Sequence, residues 1–123
     1  MLASSIGWIL VVSGIITLGG GMAPLFSPAL FLRLGFAVQS PASSALLFVR
    51  HWGVLIVAFG ALIVYSAYVP TLRAPILVAA AFEKFAIGLV LFFGPVKRTG
   101  AMTAIATVDA LFAILYVTYL ATV

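Results

Sequence analysis

Residues 76–94 read ILVAAAFEKFAIGLVLFFG, and this stretch decides what kind of protein the chain is. Apart from Glu83 and Lys84 it is a continuous apolar run, close to the roughly 20 residues that cross a hydrocarbon core about 30 Å thick. An ionisable side chain near the centre of such a core costs roughly 3 kcal/mol on insertion scales, so by default it marks a functional site. The other acid of the chain, Asp109, sits in a second run of the same kind, residues 101–123, reading AMTAIATVDALFAILYVTYLATV.

Composition points the same way. The chain has 123 residues, 66% of them apolar and 7% charged, with a mean hydropathy of +1.38. A soluble domain carries about a quarter of its residues as charges, so this surface is one that lipid, not water, would solvate. The formal charge is +4, but apart from Lys97 and Arg98 the basic residues are scattered singly. Without a basic stripe a nucleic-acid partner is not expected; anionic lipid headgroups account better for the positive balance. The absence of cysteine removes disulfides, thiolate chemistry and Cys-ligated clusters. No Lys or Arg precedes Arg33, so the N-terminus lacks the basic region of a cleavable signal, and the first apolar segment is expected to remain in the mature protein.

The punctuation predicts a single transmembrane domain over 1–123, an all-α integral membrane four-helix bundle. Its spans are expected at about 2–22, 45–69, 75–94 and 100–122. Gly19 to Gly21 would close the first, Pro70 the second, and Gly94-Pro95 the third, with Pro75 opening the third. Residues 24–39 are apolar but broken by Pro24, Pro28, Arg33 and Gly35. They read as a short interfacial helix over about 28–34, with a re-entrant segment as the alternative. Arg33, Lys97 and Arg98 fall in the first and third connections, with Arg50 close by, and only Arg73 falls in the second. The positive-inside rule then puts both termini on the non-cytoplasmic side. Trp8, Tyr65, Tyr68, Tyr116 and Tyr119 would form one aromatic belt on that side.

Depth arithmetic collects the charges. Glu83 lies about 12 Å along its helix from Pro75, and Asp109 about 13 Å from Gly100, on helices that start from opposite faces. Both approach the midplane. Arg50, counted from Pro41 or from Ala45, lies roughly 13 or 8 Å deep. Arg50, His51, Glu83, Lys84 and Asp109 are therefore expected to share one layer, adjoined by Tyr65, Tyr68 and Tyr116. Small neighbours such as Ala79, Ala80 and Ala106 place such groups inside a bundle. Glu83 and Lys84 point about 100° apart on one helix and do not face each other. The expected pairs are Arg50 with one acid and Lys84 with the other. Such a network can be purely structural, or it can serve ligand binding or proton handling. Arg50 and Lys84 disfavour a metal among Glu83, Asp109 and His51, and a bis-histidine haem would need a second copy of the chain. No phosphate-cradling glycine loop and no nucleophile with an acid–base partner is present, so no catalytic residue and no cofactor is assigned.

Arg50-His51-Trp52 at a span entrance and Phe82-Glu83-Lys84-Phe85 within the third span, in a four-span chain of this size, resemble small bacterial membrane proteins of the DoxX-like type. The likeness covers the whole length in outline. It implies an inner (plasma) membrane bundle, in some cases associated with quinone-linked or redox systems. Small multidrug resistance transporters are similar in length and span number, but their coupling acid lies in the first span, which is uncharged here. The leading expectation is a non-catalytic membrane protein that binds a small hydrophobic molecule, a lipid or a quinone, beside the charged layer. The alternatives are a structural or accessory subunit of a larger complex or homo-oligomer, and a small proton-coupled transporter.

Overall fold

A computed structural model describes residues 2–123 and is all-helical. Five helices follow one another: α1 (Leu2–Phe26), α2 (Pro28–Phe36), α3 (Ser43–Tyr68), α4 (Pro70–Phe93) and α5 (Gly100–Thr122). All but the short α2 are long and apolar enough to cross a membrane.

Two boundaries differ from the sequence reading, both because a proline or glycine run does not stop a helix that is otherwise supported. α1 continues through Gly19 to Gly21 and carries Pro24 in its last turn, because Gly21 is packed directly against α3. α4 begins at Pro70, with Pro75 inside it. Pro70 takes the first helical position, where its missing N–H would have had no partner anyway. Pro75 then forfeits one bond, to a carbonyl in the exposed first turn. α2 ends on Ala37 in the left-handed conformation (φ 58°), where the N–H groups of Ala37 and Val38 donate back to the Arg33 and Leu32 carbonyls.

The four long helices close a ring in chain order, with α1 against α3, α3 against α4, α4 against α5 and α5 against α1. Neighbours run antiparallel, as the short connections require. The tightest seam is α1 with α3. Gly14 faces Gly60, and one heptad away Gly21 faces Gly53. A Cβ at Gly14 would stand 2.9 Å from the Gly60 carbonyl oxygen, and one at Gly53 would stand 2.8 Å from that of Gly21. Only hydrogen at these positions lets the two backbones touch, the small-residue contact by which helices associate in lipid.

None of the three apolar helices α1, α3 and α4 carries a basic residue in its last turn. In each case an arginine from further along the chain supplies it. Arg50 Nε donates to the Leu25 carbonyl at the end of α1 (3.1 Å). Arg73 donates to the Ser66 and Ala67 carbonyls near the end of α3 (3.0 and 3.1 Å). Arg98 donates to the Leu91 carbonyl of α4 (2.6 Å). Each cation satisfies carbonyls that the helix cannot, at the negative end of its dipole.

α2 folds under one end of the ring, touching α1, α3 and α5. The turn between α4 and α5 meets it there, with the Thr99 N–H donating to the Gly35 carbonyl (2.9 Å) and the Thr99 hydroxyl to that of Leu34 (2.6 Å). Arg33, Arg50, Lys97 and Arg98 gather at this end, and Arg73 alone lies at the other.

Candidate functional site

Lys84 and Asp109 each stand about nine residues, roughly 13 Å, from the turn joining α4 to α5. Antiparallel packing therefore brings them level. Lys84 Nζ lies 2.8 Å from Asp109 Oδ1 and 3.0 Å from the Thr17 hydroxyl. Its side chain is 2% exposed, and that of Asp109 29%. Lys84 thus reaches diagonally across the ring from α4 to α1 while holding α5. The ammonium also lies 5.8 Å from the centroid of the Phe112 ring. One turn along α1 from Thr17, the Ser13 hydroxyl accepts from the Tyr116 hydroxyl at 2.6 Å, both side chains fully buried. Every buried polar side-chain atom among the described residues has a partner, as a low-dielectric interior demands.

A cavity of about 280 Å³ adjoins this pair and takes walls from all five helices. Thr17, Glu83, Lys84 and Asp109 form its polar end, and Phe31, Trp52, Ile87, Leu91 and Met102 line it toward α2. Ile16 on α1 and Ile105 on α5 border it and are 48% and 52% exposed, so it opens sideways between α1 and α5. A second, wholly apolar hollow of about 230 Å³ shares Phe31, Met102 and Ile105 with it and continues beneath α2. The result is an amphipathic slot, apolar along its length and charged at its inner end.

Glu83 differs from its neighbours. It is half-buried and lines the slot, and no hydrogen bond or ion pair engages it among the described residues. Among those residues no three His, Asp or Glu side chains gather as a metal cage would require.

Of the residues expected in the charged layer, Glu83, Lys84 and Asp109 come together. Lys84 takes an acid, as expected; Arg50 does not. Its guanidinium is drawn instead to the unsatisfied carbonyls ending α1. His51, Tyr65 and Tyr68 are exposed on α3 and do not line the slot, because a helix face that packs on α1 through Gly53 and Gly60 turns these positions outward. Tyr116 lies inside but faces Ser13 rather than the slot. It leaves the expected aromatic belt together with Tyr119, whose hydroxyl accepts from Arg73 at 3.3 Å; Trp8, Tyr65 and Tyr68 stay outward. The sequence reading missed Ser13 and Thr17. Their spacing of four on an uncharged span was the available signal, since it puts two hydroxyls on one helix face.

Compared with known proteins, the chain matches no family model, no curated protein and no solved structure.

Proposed function

We propose that this is a multi-pass integral membrane protein of the inner (plasma) membrane, with α2 lying at the membrane surface, that binds a small amphiphile in the slot between its helices. The observation carrying this reading is the slot itself: apolar walls, one charged end and an opening between α1 and α5 that would face lipid. Ligand sites typically combine mostly apolar lining with a few convergent polar groups, in volumes of about 300–1,000 Å³; this one suits a compact molecule. Lipid and quinone both fit the description, and the DoxX-like resemblance favours the same range of ligands.

The test fills the slot without disturbing the fold. Gly20 lines the cavity, and a Cβ there would meet nothing within 4 Å. Gly20→Leu therefore adds bulk to open space in a helix that gains propensity from the change. Wild type purified in native membrane patches is expected to retain a stoichiometric small molecule, detected by mass spectrometry, and Gly20→Leu to have lost it. Equal retention by both would refute the reading. A stoichiometric protein partner, with nothing in the slot, would establish an accessory subunit instead.

A further inference from the structure

The charges lining the slot do not balance. Among the described residues Lys84 is the sole cation of the lining, and two carboxylates stand beside it, Glu83 and Asp109. Lys84 is committed to Asp109 at 2.8 Å and to Thr17 at 3.0 Å, leaving Glu83 without a hydrogen-bond or ion-pair partner among the described residues. The elements packed around it bring no other ionisable group to the slot. α1 contributes Ile16, Thr17 and Gly20, α2 contributes Phe31, and α3 contributes Trp52 and Ile56. His51 and the arginines lie outside it. A carboxyl group in such surroundings either takes up a proton or, if ionised, needs a positive partner. The same slot presents two aromatic rings, Phe31 and Trp52, edge to face at 5.4 Å between centroids. These rings give the end toward α2 a broad apolar surface for the body of a ligand whose polar end reaches Glu83.

Building on the ligand-binding reading above, we propose that the slot selects a compact lipophilic monocation, an amine or ammonium with an apolar body, whose charge is met by Glu83. The cation restores neutrality to the Glu83–Lys84–Asp109 group while the apolar body occupies the wall toward α2. Protons compete for the same carboxylate, so cation binding strengthens as pH rises through the titration of Glu83 and weakens as it falls.

The experiment compares two probes of one shape, benzyltrimethylammonium and the neutral neopentylbenzene. Each is measured by equilibrium dialysis against the full chain in lipid nanodiscs, with partition into empty nanodiscs subtracted. The cation is expected to bind the wild type at least about tenfold more tightly. Below the titration of Glu83 its affinity should fall by about tenfold per pH unit, while that of the neutral probe stays level. Glu83→Gln is expected to abolish the preference, the cation then binding no more tightly than neopentylbenzene. Wild type that binds the neutral probe as tightly as the cation, or cation binding that is indifferent to pH, overturns the charge selection and leaves the slot a ligand site. Binding of neither probe, with Gly20→Leu also without effect on molecules retained from the membrane, overturns both readings.

Discussion

Lys84 and Asp109 meet at 2.8 Å because each stands the same distance from the turn that joins their helices. A buried ammonium of this kind is tolerable only while its partners remain. Here it has a carboxylate from α5 and a hydroxyl from α1, so one side chain ties together three of the four long helices. The contact fixes the vertical register of α4 against α5 and stops α1, its diagonal neighbour across the ring, from drifting.

Removing one member of a buried pair strands the other, typically at about 3–5 kcal/mol, whereas replacing both by apolar groups can be nearly neutral. Asp109→Leu alone is therefore expected to destabilise the bundle by that amount. The double variant Lys84→Met/Asp109→Leu should recover most of it, as measured by denaturant-induced unfolding in mild detergent. Arg50→Met, which disturbs only an exposed helix-end contact, should cost about 1 kcal/mol or less. Additive losses for Lys84 and Asp109, without rescue, would show that the two are not coupled.

How much of this was legible beforehand follows from the range of each force. Four apolar runs and their proline and glycine punctuation are local, so the spans could be read directly. Their ends could not, because Gly21 and Pro70 owe their helical state to a facing helix or to a position in the first turn. The Lys84–Asp109 pair was half legible: depth counting brought both to one level, but Arg50 was an equal candidate. What excluded Arg50 was a long-range contact with the Leu25 carbonyl, to which no local pattern points. The slot itself was invisible, since a cavity is what remains after all five helices have packed.

Glycines divide into two classes that one substitution separates. A Cβ at Gly60 would run into the backbone of Leu18, with the Leu18 Cα at 2.6 Å, so Gly60→Ala must push α1 away from α3. A loss of about 1–3 kcal/mol is expected, the range typical of overpacking. At Gly88 nothing lies within 4 Å, and Gly88→Ala should stabilise by up to about 1 kcal/mol through helix propensity. Thermal unfolding of the two variants side by side reads the difference; equal behaviour would mean that α1 and α3 are not in backbone contact.

The Tyr116–Ser13 bond makes a sharper claim about the interior. Both groups are fully buried, so Tyr116→Phe leaves a hydroxyl to find a new partner, at about 1–3 kcal/mol. Tyr119→Phe loses one longer bond to Arg73 (3.3 Å), which keeps its two carbonyl contacts, and should cost less. Adding Ser13→Ala to Tyr116→Phe is expected to restore part of the loss, since no polar group is then stranded. A Tyr116→Phe variant as stable as wild type would place this tyrosine outside the core.

Labels on α2 test how this helix lies. Pro28, Leu32 and Gly35 are buried, whereas Leu30 and Leu34 are 43% and 58% exposed. Phe31 packs against Trp52 at the slot, so it is not the lipid-facing position that an isolated interfacial helix would suggest. If α2 rests on the membrane surface, spin labels at Leu30 and Leu34 should report shallow lipid and one at Arg33 should report water. The label at Phe31 should report restricted motion within protein. Deep lipid contact at Leu30 and Leu34 alike would mean that α2 enters the membrane.

Orientation rests on the arginines and lysines, and the fold concentrates them. Arg33, Arg50, Lys97 and Arg98 stand at the end closed by α2, against Arg73 alone at the end where α1 begins and α5 ends. Basic residues in short connections stay cytoplasmic, so the α2 end should face the cytoplasm. A phosphatase reporter fused after Val123 is expected to be active, because that enzyme needs export, and a fluorescent protein that folds only in the cytoplasm should stay dark there. Fusions at Lys97 should give the reverse pattern. Neutralising Arg33, Lys97 and Arg98 together removes most of the bias, and the C-terminal reporters should then show mixed orientation. Val123 found in the cytoplasm of the unaltered chain would invert the assignment and leave the Lys84–Asp109 pair at the same level of the bundle.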